Sequence, residues 1–143
     1  MTRLTKVATL AASILRQMPG IGQWQIKFLL LLFPLWLSIR GRHNFANLAR
    51  YGGYREGAFR DNFAKSFDWL TFNRLLCQQT LGPDLIIGFD PSYLPKSGKF
   101  TEGQGEYWSG CAGQVRPGLE ISGIAAVDLQ SNTALHLAAF QTN

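Results

Sequence analysis

With 143 residues, the chain has room for one domain or two small ones. Hydrophobic residues make up 46% and aromatic residues 13%, which supplies a core and excludes a compositionally disordered chain. The net charge of +5 is unevenly placed: residues 1–80 carry 11 Lys+Arg against 3 Asp+Glu, and residues 81–143 carry 3 against 6. A polyanion-binding part joined to a part with different work is the expectation, and a merely solvated basic surface is the alternative.

Within residues 3–17, Leu4, Val7, Ala8, Ala11, Ile14 and Leu15 fall on one helical face, and Pro19-Gly20 ends the pattern. Residues 22–38 predict a second, mostly buried helix. Its run Phe28 to Leu37 is the one membrane-like feature, but it is far short of the ~18–20 residues of a spanning helix and Pro34 interrupts it. No membrane association is expected. Gly41 closes this segment, and Asn44 is suited to cap the next helix.

Two short helices are predicted across Gly52-Gly53, with Phe45, Leu48 and Ala49 on one apolar face and Ala58, Phe59 and Phe63 on the other. Arg50, Arg55, Arg60 and Lys65 point elsewhere and are the candidate DNA contacts. The pair resembles a helix-turn-helix, whose second helix enters the major groove, although many helix hairpins never meet DNA. A further helix, Trp69 to Gln79, offers Leu70, Phe72, Leu75, Leu76 and Cys77 to the core. Cys77 and Cys111 stand at no metal-ligand spacing, which fits a reducing cytosol without disulfides. The N-terminus has no signal-peptide pattern.

After Gly82-Pro83, helical spacing gives way to strands and glycine loops. Residues 85–89 predict a buried strand ending on Asp90, and residues 96–118 a long glycine-rich loop or ragged hairpin. Residues 119–128 read as a strand, 128–133 as a turn, and 134–140 as a strand pairing back antiparallel. The chain therefore divides into a basic helical region, residues 1–80, and a strand-rich region, residues 84–143.

A carboxylate at a strand end suits Mg²⁺ or Mn²⁺, which take oxygen ligands, usually from two or more acids. Alone, Asp90-Pro91-Ser92 reads rather as a turn after a strand. Lys96 and Lys99 follow Asp90 and are either phosphate contacts or solvated loop lysines. Tyr107 and Trp108 either stack on a base or pack on the sheet. His136 alternates with apolar neighbours and reads as structural, and no role is assigned to His43.

Several ordered segments bear on this choice. They are Asn44-Phe45 to Arg50-Tyr51, Phe67-Asp68-Trp69 to Phe72-Asn73, the strand to Asp90, Lys96-Ser97-Gly98-Lys99, Tyr107-Trp108-Ser109-Gly110, and the strand "GLEISGIAAVDL". In this order the chain, over roughly residues 25 to 143, resembles the first part of DDE transposases of bacterial insertion sequences, of the group called insertion-sequence family four. The resemblance implies an α+β chain: a helical DNA-binding region followed by the first three strands of a ribonuclease-H-like domain, incomplete here. It implies Asp90 as the first of three catalytic, metal-binding acids. The family's second Asp and final Glu lie further on. Asp128 in a hairpin turn and Glu120 at a strand start are in the wrong places for them.

The resemblance also implies DNA, in the form of transposon ends, as partner, with self-association or pairing with a full-length transposase. A nucleoid-associated place in the cytoplasm is expected with it. One aspartate does not hold two Mg²⁺ ions, so a truncated transposase inactive alone is the expectation. A small DNA-binding protein or transposition inhibitor without catalysis is the alternative.

Overall fold

A computed structural model describes residues 3–96 and 100–142. Among these residues lie five helices and one four-stranded antiparallel sheet. Two compact units divide the chain between Asp68 and Trp69. The fifth helix thus belongs with the sheet, although the composition changes only after it.

The first unit holds helices α1 (Arg3–Leu15), α2 (Gln23–Ser38), α3 (Phe45–Gly52) and α4 (Glu56–Phe63). Helix α1 buries Ala11, Ile14 and Leu15, the face its spacing predicts, and packs against α2. Helix α2 buries Phe28, Leu29, Leu32 and Leu35, while Trp24 and Leu37 stay in water. The apolar run is therefore the core helix of this unit, and Pro34 sits inside it. No helix among the described residues is long and apolar enough to cross a membrane.

Asn44 caps α3 as expected: its Oδ1 accepts the Asn47 N–H at 2.8 Å. Gly53 then takes the left-handed conformation, φ +74°, that ends the helix, and α4 follows at once. Phe59 of α4 is fully buried, with Phe28 at 5.8 Å and Tyr54 at 6.0 Å between ring centroids. Phe63 takes edge contacts from Phe28, Trp36 and Phe45.

In the second unit, α5 (Trp69–Thr80) precedes β1 (Leu85–Pro95), β2 (Gly105–Ser109), β3 (Gln114–Asp128) and β4 (Thr133–Thr142). Helix α5 buries Phe72 and Cys77, but Leu70 of the expected core face is exposed. Burial raises the pKa of the Cys77 thiol, as desolvation penalises the thiolate.

Strand β3 is the hub. It pairs antiparallel with β1 along residues 118–128, with β4 along 120–128 and with β2 along 114–118. Gly118 faces both Pro95 and Gly105, so β2 lies on the same edge of β3 as β4. The expected antiparallel return of residues 134–140 is present, with one irregularity at Ile124/Ala125. Of the loop or ragged hairpin expected over residues 96–118, the hairpin is present: β2 pairs antiparallel with the start of β3, so Glu120 lies inside a strand and not at its beginning.

Strand β1 departs most from expectation. It runs six residues past Phe89, forms a sheet edge, and leaves Ile86, Ile87 and Phe89 52–61% exposed. For Ile87 and Phe89, on the face of Ala126, the cause is placement: α5 packs on β4, across the sheet from β1, and Ile86 lies on the open face with Asp90. Pro91 has no N–H, and an edge strand accommodates it by turning that position outward. Strand positions alternate sides, so Pro95 turns outward with it.

Candidate functional site

Directly opposed residues of neighbouring strands share a face of the sheet. On β3, Ser122, Ala126 and Asp128 are buried, which marks their face as the covered one. The opposite face carries Asp90 and Ser92 of β1, Gly123 and Ala125 of β3, and His136 and Ala139 of β4. It forms an open groove of about 480 Å³.

Asp90 is the sixth of eleven residues in β1, not the last, and it is exposed. The strand continues through Pro91 because the edge needs no donor there, so the expected turn is absent. Asp90 stands opposite Gly123, and Gly123 opposite Ala139. The floor beside the carboxylate is therefore made of small residues. Ser92 Oγ donates to Asp90 Oδ2 at 3.2 Å.

His136 is exposed. It lies two strands from β1, in the row of Gly88 and Ala125. Two strand spacings separate it from the Asp90 strand by roughly 10 Å, too far for a shared ion with ~2 Å bonds. Among the described residues no group of three His, Cys, Asp or Glu is placed to hold a metal ion. One carboxylate and one hydroxyl do not fit Mg²⁺ or Mn²⁺, which needs several oxygen ligands in near-octahedral array.

Two of the other acids of the strand region, Glu120 and Asp128, have structural work. Glu120 Oε1 accepts the Thr142 hydroxyl at 2.6 Å, tying β3 to the end of β4. Asp128 is buried and receives the Gly82 N–H at 2.9 Å, the Ser131 hydroxyl at 2.8 Å and the Gln130 N–H at 2.9 Å. These donors, Gly82 foremost, lower its pKa from 3.8 to about 2. Asp128 joins the β3–β4 turn to the segment entering β1, a partnership 46 residues apart in sequence. The turn residues suggest its place, but nothing in the sequence points to Gly82 as its partner.

The expected DNA contacts fall into three groups. Arg50, at the end of α3, donates to Asn47 Oδ1, and Arg55 stands exposed at the head of α4. Arg60 is engaged: it pairs with Glu56 one turn earlier and lies 4.8 Å from the centre of the Phe45 ring. Lys65 donates to Asn62 Oδ1, Lys96 is exposed just beyond β1, and Lys99 lies outside the described residues.

The α3–α4 pair across Gly52-Gly53 is present, but α4 is only eight residues long. Asp61 is exposed on α4 as well as Arg60, so that surface is of mixed charge. The basic character lies elsewhere: residues 1–55 hold eight Lys+Arg and no Asp or Glu. This was legible in the sequence as the absence of acids before Glu56.

Of the two aromatics in the glycine-rich loop, Tyr107 packs, its hydroxyl donating to the Thr142 carbonyl at 3.3 Å, whereas Trp108 is 64% exposed. His43 Nε2 donates to the Trp36 carbonyl at 2.9 Å and so has a structural role. No protein-family model matches the chain, and comparison with curated proteins and with solved structures gives no match either.

Proposed function

We propose that this chain is a nucleic-acid-binding protein of the DDE-transposase kind. In this reading the basic helical unit engages DNA at transposon ends, and Asp90 is the first acid of a ribonuclease-H-like catalytic sheet. The observation that carries the reading is the setting of Asp90. It is an exposed acid over a small-residue floor, on the first strand of an antiparallel set β1-β3-β4 with β3 in the middle. Glycine and alanine beside a carboxylate leave room for a phosphate backbone. The resemblance of the ordered motifs, from Asn44-Phe45 to the β3 strand, supports the same assignment.

In this reading these 143 residues do not cut or join DNA by themselves: Glu120 and Asp128 are bonded within the fold, and among the described residues no group of three His, Cys, Asp or Glu includes Asp90. That same observation favours a second reading, a DNA-binding protein that acts without catalysis. In that role it occupies transposon ends or pairs with a full-length transposase as an inhibitor. Nucleoid association follows from either reading.

Binding to duplexes carrying the element's terminal repeat and to random duplexes, each titrated with salt, tests the proposal. Preference for the repeat is expected, together with affinity that falls steeply with salt as phosphate-bound counterions are released. No preference at moderate salt would refute recognition of transposon ends. Metal-dependent nicking by the chain, abolished in Asp90→Ala, would refute the claim that it is inactive alone.

A further inference from the structure

We propose that the turn Arg50-Tyr51-Gly52-Gly53-Tyr54-Arg55 binds single-stranded nucleic acid, its tyrosine rings stacking on bases and its arginines meeting the flanking phosphates. The inference rests on the reading of the helical unit as nucleic-acid-binding and names the form of the ligand. The turn is symmetric in composition, two arginines and two tyrosines about a glycine pair. Tyr51 is 62% exposed and Tyr54 45%, and both arginines are exposed. No acid precedes the turn, and Glu56, which follows it directly, is paired with Arg60.

The platform is also rigid. A Cβ at Gly52 would lie 2.6 Å from Leu35 and 2.7 Å from Phe59, so the backbone here rests directly on the core. Gly53 holds the left-handed conformation, and Tyr54 meets Phe59 edge-on at 75°. The Tyr54 ring, already held against Phe59, loses little freedom when a base stacks on it, and the backbone that carries Tyr51 is fixed by its rest on the core.

A duplex fits less well. Its base faces are already stacked on one another, so exposed rings find partners only on unpaired bases. Helix α4 spans only about 12 Å. Its Arg60 is held by Glu56 and Phe45, and Asp61 would stand near phosphates.

The test is fluorescence anisotropy with the full chain, a labelled 12-nucleotide single strand of mixed sequence, and the duplex of the same sequence. Wild type is expected to prefer the single strand. Tyr51→Phe, which keeps the ring, retains that affinity. Tyr51→Leu weakens single-strand binding about tenfold, the equivalent of one stacked base, and leaves duplex binding unchanged. Thermal melts matching wild type confirm that these exposed-site variants fold.

Preference for the duplex, or an equal effect of Tyr51→Leu on both ligands, or none on either, would overturn the role of the turn while leaving nucleic-acid binding intact. Failure of both oligonucleotides to bind at low salt would overturn the turn and the broader reading together.

Discussion

Gly118 is the residue at which β3 lies between β1 and β2, and Gly118→Ala is expected to destabilise the sheet unit. A Cβ there would lie 2.5 Å from the Leu94 carbonyl oxygen and would also collide with the Tyr93 ring. Real Cβ contacts essentially never fall below 3.0 Å, so β1 and β3 must part by half an ångström or more. That movement weakens one or two ladder hydrogen bonds and displaces Tyr93, whose hydroxyl donates to the Pro117 carbonyl at 2.9 Å. At about 1 kcal/mol for each bond, the loss is about 2–3 kcal/mol, offset by about 0.5–1 kcal/mol for replacing a strand glycine. The net cost of about 2 kcal/mol corresponds to a fall of roughly 8–16 °C in the melting temperature of a unit this small. Thermal unfolding followed by far-UV circular dichroism measures it. Gly88→Ala is the control, because nothing lies within 4 Å of a Cβ at that position of the same sheet. A Gly118→Ala melt superimposed on wild type, or an equal loss in Gly88→Ala, would refute the steric argument.

Phe59→Ala removes the fully buried ring of the helical unit and is expected to cost about 3–5 kcal/mol, read as a lower denaturant midpoint. Ser122→Ala should be neutral or stabilising by up to about 1 kcal/mol in the same assay. The Ser122 hydroxyl is buried without a hydrogen-bond partner, and alanine removes that uncompensated polar group. Asp128 gives the sheet unit an acid-sensitive component. Its folded pKa of about 2 lies below the ordinary 3.8, so the stabilisation is complete well above pH 4 and is lost as pH falls toward 2. Asp128→Asn should flatten the dependence of stability on pH across that window; an unchanged slope would assign it to another carboxylate.

The helices were legible where their signals are local. The spacing of Ala11, Ile14 and Leu15 predicts the buried face of α1, and the side chain of Asn44 predicts the start of α3. The exposure of strand β1 is not legible in the sequence because Leu85 to Phe89 is equally apolar whether or not a helix covers it. Its exposure is decided by where α5 packs, which no window of β1 contains. Pro91 likewise signals a strand end by its lost donor, yet at a sheet edge the loss is harmless and the strand continues. Strand β2 is legible only as one arm of a ragged hairpin, without bounds, because Gly105 and the glycines around it dilute a pattern only five residues long. For the candidate site, Asp90 stood out as an acid in an apolar setting, but its small-residue floor comes from Gly123 and Ala139 on other strands. The arginines were visible as charges. That Arg60 is already occupied while Tyr51 and Tyr54 stand in water is a matter of packing around Phe45 and Phe59.

The prolines of β1 have a consequence for how the molecule meets copies of itself. A free strand edge with exposed isoleucines and a phenylalanine is a template on which other chains polymerise. If Pro91 and Pro95 turn outward, the positions that offer donors along that edge are Leu85, Ile87, Phe89 and Tyr93. An incoming strand would zip along the first three, meet a gap at Pro91, and find the ladder closed again at Pro95. The edge is thus open to solvent yet closed to continuous pairing.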